Sequence, residues 1–571
     1  MTKKKEKKAG KHMRKSELAE QLMTWMQMRP GEDFALKQIF RALNLTTHPL
    51  KMLCVDILNE MAEDDFIQVM ENGHFKLNNH GIILTGKFQR KSNGKNTFVP
   101  EDGSEPIFIA ERNSGHAMHG DKVKISLTAK RKGRKVEGEV IEILERAKET
   151  FVGTLKVDKH YAFLLTEDRT LANDIFIPRD MLKGGKDGDK AVVKVTKWPE
   201  DAKNPIGKVI DILGQAGDNT TEMHAILAEF GLPYVYPKNV ETAAENISDI
   251  ITPEDYAERE DFREITTFTI DPKDAKDFDD ALSIRPLKPG LWEVGVHIAD
   301  VTHYVKEGSC IDKEAEKRAT SVYLVDRTIP MLPERLCNLL CSLRPNEEKL
   351  AYSAIFEMND KAEVKNKRIV KTVIKSDRRF TYEEAQAVIE TGEGEFKDEI
   401  LKLNELAQIL RTNRMAAGAV DFDRVEVRFE IDEKGKPLSV YFKESKEANK
   451  LIEEFMLLAN RTVAECIGKV PKDKKAKVFP YRIHDLPDPD KLENLNWFVN
   501  RFGYKIRTSG SKTEVSKSLN KLLKEVHGKK EQNLVEMVSL KAMQKAKYST
   551  VNIGHYGLAF DYYTHFTSPI R

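Results

Sequence analysis

The sequence lacks the features that would place the protein in a membrane or outside the cell. No apolar run approaches the roughly 20 residues needed to cross a bilayer, and no apolar segment follows the lysine-rich N-terminus as in a secretory signal. Cysteine is scarce, with five residues and no CxxC pair, which argues against a disulfide framework or a zinc site. Cys337 and Cys341 are predicted to be buried thiols. We expect a cytoplasmic protein that does not contact membranes.

A strong excess of charge of one sign is also missing. The formal net charge is +2, but the first 15 residues hold eight Lys and Arg against one Glu, so the rest of the chain carries 85 basic and 90 acidic residues. Overall charge therefore does not identify a nucleic-acid partner. The basic tail is compatible with attraction to phosphates and equally with a solvated, disordered end.

The length of 571 residues with 40% hydrophobic composition predicts several domains, because a single core does not grow to this size. Residues 16–80 show helical apolar spacing, as in Leu18 and Leu22, and then a pattern that predicts a hairpin in residues 66–69 and 74–77. Three helices followed by a hairpin resemble a winged helix. Such domains bind nucleic acids or proteins, and the sequence leaves both roles open.

An internal repeat of about 68 residues follows. Each copy opens with a glycine-containing strand, at Gly86 and at Gly153, and ends in a strand reading Val-Ile-Glu-Ile or Val-Ile-Asp-Ile. The pattern predicts two small barrels of the cold-shock, oligonucleotide-binding type. A basic run extends from Lys130 to Lys135. Candidate stacking rings, some of which must belong to the barrel cores, are Phe88, Phe98, Phe108, Phe151, Tyr161, Phe163 and Phe176.

Beyond a helical linker, the remaining chain is predicted to form a large mixed α/β domain. Strands are indicated at residues 268–270, 292–298 and 351–356, and a long amphipathic helix at residues 447–466. The full set of predicted regions is a basic tail at 1–15, a winged helix at 16–80, barrels at 81–147 and 148–215, a linker at 216–260 and the α/β domain at 261–571.

The most informative segment is residues 271–280, which we call the aspartate loop. It places five carboxylates within ten residues, between two apolar runs. Near a core, mutual repulsion and desolvation would disfavour their charged forms unless a cation neutralised them. Oxygen ligands without a complete protein cage suit Mg²⁺, which keeps waters and accepts phosphate oxygens. The loop therefore predicts a phosphodiester hydrolase.

Two other interpretations of the loop compete with a Mg²⁺ site. An exposed acidic turn is common and needs no ligand. An EF-hand calcium loop fits poorly: a start at Asp271 puts Lys276 at the required glycine and Leu282 at the required glutamate, and a start at Asp277 puts Leu282 and Lys288 there.

At this point a family resemblance becomes specific. Residues 270–281 are similar to the signature of the ribonuclease II and ribonuclease R family of exoribonucleases, and the order of winged helix, two barrels and catalytic domain agrees with it. Further similar blocks are Val-His-Ile-Ala-Asp-Val from Val296, Ile-Glu-Glu-Phe-Met-Leu-Leu-Ala-Asn from Ile452, Arg-Ile-His-Asp from Arg482 and Ser-Pro-Ile-Arg from Ser568.

The resemblance implies roles for individual residues. The four essential carboxylates and metal ligands would be Asp271, Asp277, Asp279 and Asp280, while Asp274 falls outside the pattern. Further implied roles are contact with the scissile phosphate for Arg571, a position near the last nucleotide for Glu454, and base stacking for Tyr323, Phe422 and Tyr382. His297, His484 and His555 lie in family blocks and are expected to be structural.

The resemblance further implies a processive, Mg²⁺-dependent 3′-to-5′ exoribonuclease that degrades single-stranded and structured RNA to nucleoside 5′-monophosphates. It implies a monomer that meets single-stranded RNA 3′ ends, with ribosomes or RNA-decay proteins as candidate partners. The family usually continues beyond Ser-Pro-Ile-Arg, so the catalytic domain is expected to be incomplete at its C-terminal end. The alternatives are a non-catalytic RNA-binding or translation-associated protein and, with less support, a DNA-binding regulator.

Overall fold

A computed structural model gives the structure of the chain. It describes residues 15–27, 29, 32–63, 66–70, 72–77, 83–91, 95–128, 137–168, 171, 173–199, 201–422, 426–432, 436–471 and 474–566. Residues 1–14 of the basic tail, the run from Lys130 to Lys135 and the terminal Arg571 lie outside the described residues. The chain forms two compact units, residues 1–232 and 233–571. Within the described ranges, no helix is both long enough and apolar enough to cross a membrane.

The first unit begins with three helices and a small sheet. The elements are α1 (Lys15–Gln27), β1 (Asp33–Phe34), α2 (Leu36–Ala42), α3 (His48–Glu63), β2 (Ile67–Val69) and β3 (Phe75–Leu77), with strand order β1-β3-β2. Leu22, Ile39 and Leu58 from the three helices share one buried core with Phe75. The predicted α+β arrangement is confirmed. Strand β1 escapes prediction because two residues are too few to show an alternating pattern.

Two closed five-stranded barrels follow. The first contains β4 (Ile83–Gln89), β5 (Asn96–Pro100), β6 (Ile107–Ile109), β7 (Lys122–Thr128) and β8 (Glu137–Glu145); the second contains β9 (Thr150–Val157), β10 (Tyr161–Thr166), β11 (Ile175–Pro178), β12 (Asp189–Lys197) and β13 (Ile206–Gln215). In both, the third and fifth strands pair in parallel and the other neighbours are antiparallel. The internal repeat is therefore a repeated barrel, as predicted.

The glycine that opens each repeat has a steric reason. A Cβ atom on Gly86 would lie 2.2 Å from the Val99 carbonyl oxygen, and one on Gly153 would lie 2.3 Å from the Leu165 carbonyl oxygen. In each barrel the first strand therefore approaches the second too closely for any side chain. The same requirement at the same place explains why the two sequences share this residue.

Three helices occupy most of the segment after the second barrel. They are α4 (Asn219–Glu229), α5 (Lys238–Glu245) and α6 (Pro253–Ala257). Helix α4 belongs to the first unit and packs against β9, β12 and β13. The Asp218 side chain accepts a hydrogen bond from the Thr221 amide and so caps this helix.

The second unit is built on a seven-stranded sheet. Its strands are β14 (Glu260–Phe262), β15 (Thr267–Asp271), β16 (Asp280–Lys288), β17 (Leu291–Ala299), β20 (Glu348–Asn359), β21 (Val364–Lys375) and β22 (Arg378–Thr381); between β17 and β20 lie α7 (Val301–Tyr304), α8 (Cys310–Arg318), β18 (Val322–Tyr323), β19 (Thr328–Ile329) and a π-helical turn (Arg335–Leu340). The order is β14-β21-β20-β17-β16-β15-β22, and only the two outermost pairs are parallel.

Helices cover both faces of this sheet. One core joins it to α9 (Tyr382–Thr391), α10 (Lys397–Ala416) and α11 (Glu447–Gly468), and the other joins it to α5, α8 and the π-helical turn. Because both faces are covered, β17 is buried without alternation from Glu293 to Ala299. The predicted mixed α/β class and the long helix are confirmed. Cys337 and Cys341 are buried, as expected.

The rest of the second unit follows α10 and α11. It comprises β23 (Glu426–Ile431) and β24 (Pro437–Lys443), which form a hairpin, β25 (Tyr481–Ile483), α12 (Pro489–Asn500), α13 (Lys512–Val526), α14 (Gln532–Ala542) and β26 (Lys547–Ser549). Helices α12 to α14 bury Leu495, Leu519 and Val535 in a separate core.

Candidate active site at the aspartate loop

The aspartate loop connects two neighbouring strands at one end of the central sheet. Strand β15 ends at Asp271 and β16 begins at Asp280. The strands are antiparallel, with Phe268 opposite Leu282, so both carboxylates leave the sheet at the same end. The parallel neighbour β22 places Thr381 beside Asp271.

The local sequence fixes where β22 stops and helix α9 starts. The Glu384 amide donates a hydrogen bond to the Thr381 hydroxyl at 3.1 Å, and the Thr381 amide donates to the Glu384 carboxylate at 2.7 Å. This capping box starts the helix at Tyr382, beside the aspartate loop. Burial raises the pKa of the Tyr382 hydroxyl, and the charges of Asp280 and Asp271 act in the same direction. Both carboxylates therefore lie close enough to Tyr382 to influence its hydroxyl.

Asp271 is the most deeply buried aspartate of the loop, with 8% of its surface exposed. Burial raises the pKa of its carboxyl to about 6; the neighbouring Thr269 side chain and then the positive charge of Arg379 oppose this shift, and the negative charge of Asp277 adds to it. Its Oδ2 atom is buried and has no hydrogen-bond partner in the described structure. A buried carboxylate oxygen without a donor is costly. This atom fits a bound cation.

The charges of Asp277 and Asp279 affect the thiol of Cys337 in the π-helical turn. Burial raises the pKa of the Cys337 thiol to about 12, and the charges of Asp277 and then Asp279 are among the further causes. Both aspartates therefore lie close enough to the π-helical turn to influence it electrostatically. The backbone is tied down here, because the Leu343 amide donates to the Phe278 carbonyl at 2.8 Å and the Ala299 amide donates to the Asp279 carbonyl at 3.2 Å.

The carboxylates do not form a complete cage. In the part of the chain that the structure describes, no group of three or more His, Cys, Asp and Glu side chains is arranged to hold a metal ion. Mg²⁺ is usually held by one or two carboxylates together with waters and substrate phosphates. The four aspartates thus remain a predicted ligand set. Asp274 is exposed.

Comparison with known proteins identifies the family. The RNB domain family matches residues 259–571, the cold shock domain family residues 163–237 and the ribonuclease B OB domain family residues 86–143. Ribonuclease R of Thermotoga maritima is 35% identical over 545 residues, which cover 94% of this chain and 75% of the relative. This chain belongs to the ribonuclease R family of RNB exoribonucleases. The chain is an exoribonuclease, and its family generally depends on a divalent metal.

Solved structures of a ribonuclease R agree with this membership. Mycoplasma genitalium RNase R in complex with ribose-methylated single-stranded RNA superposes with a TM-score of 0.76 at 25% identity, covering 86% of this chain and 77% of that chain. The same enzyme in complex with double-stranded RNA gives a TM-score of 0.69 at 26% identity, covering 76% of each chain. The aspartate loop lies inside the matched RNB domain.

The three rings that the ribonuclease R resemblance predicts to stack on bases lie in different settings. Tyr323 is on the short strand β18 with 60% of its surface exposed. Tyr382 is partly buried beside the loop, with the Lys443 ammonium 5.3 Å from its ring centre. Phe422 is partly buried and, with Met415 and Lys521, lines a groove of about 1080 Å³. These positions leave their stacking roles as predictions.

Two further residues of the ribonuclease R pattern give different results. Glu454 on α11 is 3% exposed, and the Arg414 guanidinium donates to its carboxylate at 2.5 Å. Its carboxylate is thus already held within the protein, which sequence alone does not reveal. Arg571 lies outside the described residues, so its predicted contact with the scissile phosphate stays a prediction.

Sequence reasoning missed Arg379, which also belongs to this site. Its guanidinium donates to the carbonyl oxygens of Pro272 and Lys273. A lone arginine in a strand carries no periodic signal. The capping box at Thr381 and Glu384 was the available clue, since it marks a strand-to-helix junction directly after Arg379.

The family-block histidine His297 is structural, as expected. It is fully buried in β17, where its Nδ1 lies 2.7 Å from the Ser353 hydroxyl and its Nε2 lies 2.8 Å from the Ser283 hydroxyl. Burial lowers the pKa of this imidazole to about 3. The neutral ring therefore joins β16, β17 and β20 near Asp280.

The aromatic rings of the barrels divide into core and surface. Phe88, Phe98 and Phe151 are buried, which confirms that some rings belong to the cores. On the second barrel, Tyr161, Phe163 and Phe176 lie on adjacent strands with ring centres 5.7–5.8 Å apart. We call these three rings the aromatic patch; Tyr161 is exposed and the other two are partly exposed.

Proposed function

We propose that the protein removes nucleotides one at a time from the 3′ end of RNA by Mg²⁺-dependent hydrolysis, releasing nucleoside 5′-monophosphates. The observation that carries the proposal is the buried Oδ2 atom of Asp271, which has no hydrogen-bond partner in the described structure and lies where β15 and β16 leave the sheet together. Because the family generally depends on a divalent metal, this oxygen is a candidate metal ligand.

The four aspartates would hold the metal. Asp271 and Asp280 are the proposed direct ligands, because both sit at strand ends whose positions the sheet fixes. Asp277 and Asp279 would orient water or hold a second ion. Bound Mg²⁺ would supply Lewis acidity at the scissile phosphate and a more acidic water as nucleophile. Arg571 is the proposed partner of the charge that develops on the phosphate.

Tyr323, Tyr382 and Phe422 are the proposed base contacts near the RNA 3′ end. Stacking on a ring tolerates any base, which suits an enzyme that steps along RNA of any sequence. Glu454 would act near the last nucleotide, with its carboxylate oriented by Arg414 at 2.5 Å. Processive release follows if the bases remain stacked while the terminal phosphodiester is cleaved.

The aromatic patch would hold the RNA upstream of its 3′ end. Its rings present faces for stacking, and base stacking contributes about 1–3 kcal/mol per base. Mycoplasma genitalium RNase R has been seen with single-stranded and with double-stranded RNA, which supports degradation of structured RNA as part of the proposal. The protein would act as a cytoplasmic monomer, with ribosomes or RNA-decay proteins as candidate partners.

Asp280→Asn tests the proposal. Loss of one ligand charge should lower kcat on single-stranded RNA by about 10³-fold. The Kd for the same RNA with a non-cleavable 3′ end should change by less than about twofold, because base stacking on aromatic rings supplies the proposed affinity. Asp274→Asn is the matched control, because this exposed residue lies in the same loop. Full activity in Asp280→Asn would remove the aspartate loop from catalysis.

A further inference from the structure

Arg379 contacts both halves of the aspartate loop. It lies on β22, opposite Thr269 of β15. Its Nη2 donates to the carbonyl oxygen of Pro272 and, at 3.0 Å, to that of Lys273. The same guanidinium lies over the ring of Phe278, with its central carbon 5.5 Å from the ring centre. One side chain thus joins the start of the loop to a residue near its end.

The opposite side of the loop is held by a second device. The Ser342 hydroxyl accepts a hydrogen bond from the Phe278 amide at 3.0 Å and donates one to the Lys276 carbonyl at 3.1 Å. Ser342 is fully buried. The loop backbone is therefore fixed from two directions, by Arg379 on β22 and by Ser342 after the π-helical turn.

Arg379 holds this backbone without occupying the carboxylate that is free for a cation. Its Nε and the Oδ2 of Asp271 are both buried and have no hydrogen-bond partner in the described structure. A direct arginine-to-aspartate fork would have used both atoms. The guanidinium instead donates its hydrogen bonds to carbonyl oxygens, and the Oδ2 atom of Asp271 remains available to a cation.

We propose that Arg379 is a positioning residue for the reaction: with Phe278 as its stacking partner, it fixes the backbone of the aspartate loop so that the four aspartates keep the geometry of catalysis. This inference rests on the proposed function of the loop. A planar fork that also stacks on a ring is a property of arginine, and a lysine ammonium provides only a point charge.

The test compares variants at Arg379 with variants at its neighbour. Arg379→Met removes charge and fork, and Arg379→Lys keeps only the charge. Displacing a reacting group by about 1 Å costs about 100-fold in rate, so kcat for single-stranded RNA should fall by about that factor in Arg379→Met and by about 10-fold or more in Arg379→Lys, with KM unchanged. Arg378→Met is the control, because Arg378 pairs with Glu384 and Glu395 instead.

A second readout does not depend on turnover. Hydrogen–deuterium exchange of peptides covering residues 272–278 should become faster in Arg379→Met, Arg379→Lys and Phe278→Leu, and remain unchanged in Arg378→Met. Phe278→Leu keeps the arginine and removes only its stacking ring, so it also serves if an Arg379 variant folds poorly. Mn²⁺ binding measured by calorimetry should weaken in the same three variants.

The outcomes separate this inference from the proposed function. If Asp280→Asn is inactive but the Arg379 variants keep normal kcat and exchange, the positioning role is wrong and the proposed function stands. If Asp280→Asn is fully active, the proposed function itself is wrong. Slow turnover in Arg379→Met with unchanged exchange at residues 272–278 would also overturn the inference, because Arg379 would then act on the substrate and not on the loop.

Discussion

The aspartate loop and the aromatic patch, the two proposed RNA-contacting regions, are built in opposite ways. The loop buries Asp271 and fixes its backbone through Arg379 and Ser342. The patch places Tyr161 and its neighbouring rings on the outer face of a barrel. Stacking on these rings does not require directional hydrogen bonds. Phosphodiester cleavage requires groups held to within fractions of an ångström, whereas stacking must accept every base. The fixed carboxylates therefore suit the proposed catalysis, and the exposed rings suit the proposed RNA binding.

The two barrels sharpen this contrast. Both have the same strand order, yet Phe88 and Phe98 of the first barrel point into its core, and Phe108 is 37% exposed, with no ring contact among the described residues. In the second barrel, Phe163 and Phe176 pair across neighbouring strands on the outside. A shared fold therefore does not give a shared binding surface.

The largest effect should come from the loop. Asp271→Asn keeps the shape of the side chain but removes its charge, and kcat should fall by about 10³-fold. RNA affinity should be unchanged, because the aromatic patch is the proposed main RNA contact. Single-turnover kinetics and fluorescence anisotropy on one RNA measure the two quantities. A parallel loss of affinity would contradict the proposed separation of catalysis at the aspartate loop from RNA binding at the aromatic patch.

Acid should destabilise the second unit, which contains His555. Burial, together with the charge of His484, lowers the pKa of His555 to about 3. The neutral imidazole therefore stabilises the fold above the ordinary histidine pKa of about 6.5, and this contribution is lost as the pH falls from there toward 3; by pH 5 the loss is about 2 kcal/mol.

Calorimetric melting between pH 7 and pH 5 checks this expectation. His555→Asn is the informative variant, because the Leu558 amide donates to His555 Nδ1 at 3.2 Å and asparagine can accept the same bond. The variant should show a weaker pH dependence than the natural protein. Equal slopes would assign the acid sensitivity to other groups.

Removal of the patch should weaken binding without slowing chemistry. Phe163→Ala combined with Phe176→Ala removes two stacking rings, and at about 1–3 kcal/mol per base the Kd should rise at least about tenfold. The kcat at saturating RNA should not change. Phe108→Ala in the first barrel is the control and should alter Kd by less than about twofold, because an isolated exposed ring is ordinary surface. An equal rise in Kd for the variants of both barrels would show that the two barrels do not differ in RNA binding.

Sequence predicts best where a signal is local. Strand β15 and helix α11 follow from an apolar run and from periodicity, and the barrels follow from the repeat; β16, on the other side of the aspartate loop, was not predicted. The direction in which Phe88 and Phe163 point depends on register within a closed barrel, which no single strand encodes. The contacts from Arg379 to Pro272 and from Arg414 to Glu454 span 107 and 40 residues. Only the fold brings such pairs together.

The most direct test of the proposed Mg²⁺-dependent hydrolysis follows the last nucleotide of an RNA. Single-stranded RNA labelled at its 3′-terminal nucleotide is incubated with the protein in Mg²⁺ or in chelator, and the products are separated by size. Hydrolysis from the 3′ end predicts that the label leaves first as a nucleoside 5′-monophosphate, and only with Mg²⁺. Label retained on long fragments, or release that persists in chelator, would contradict it.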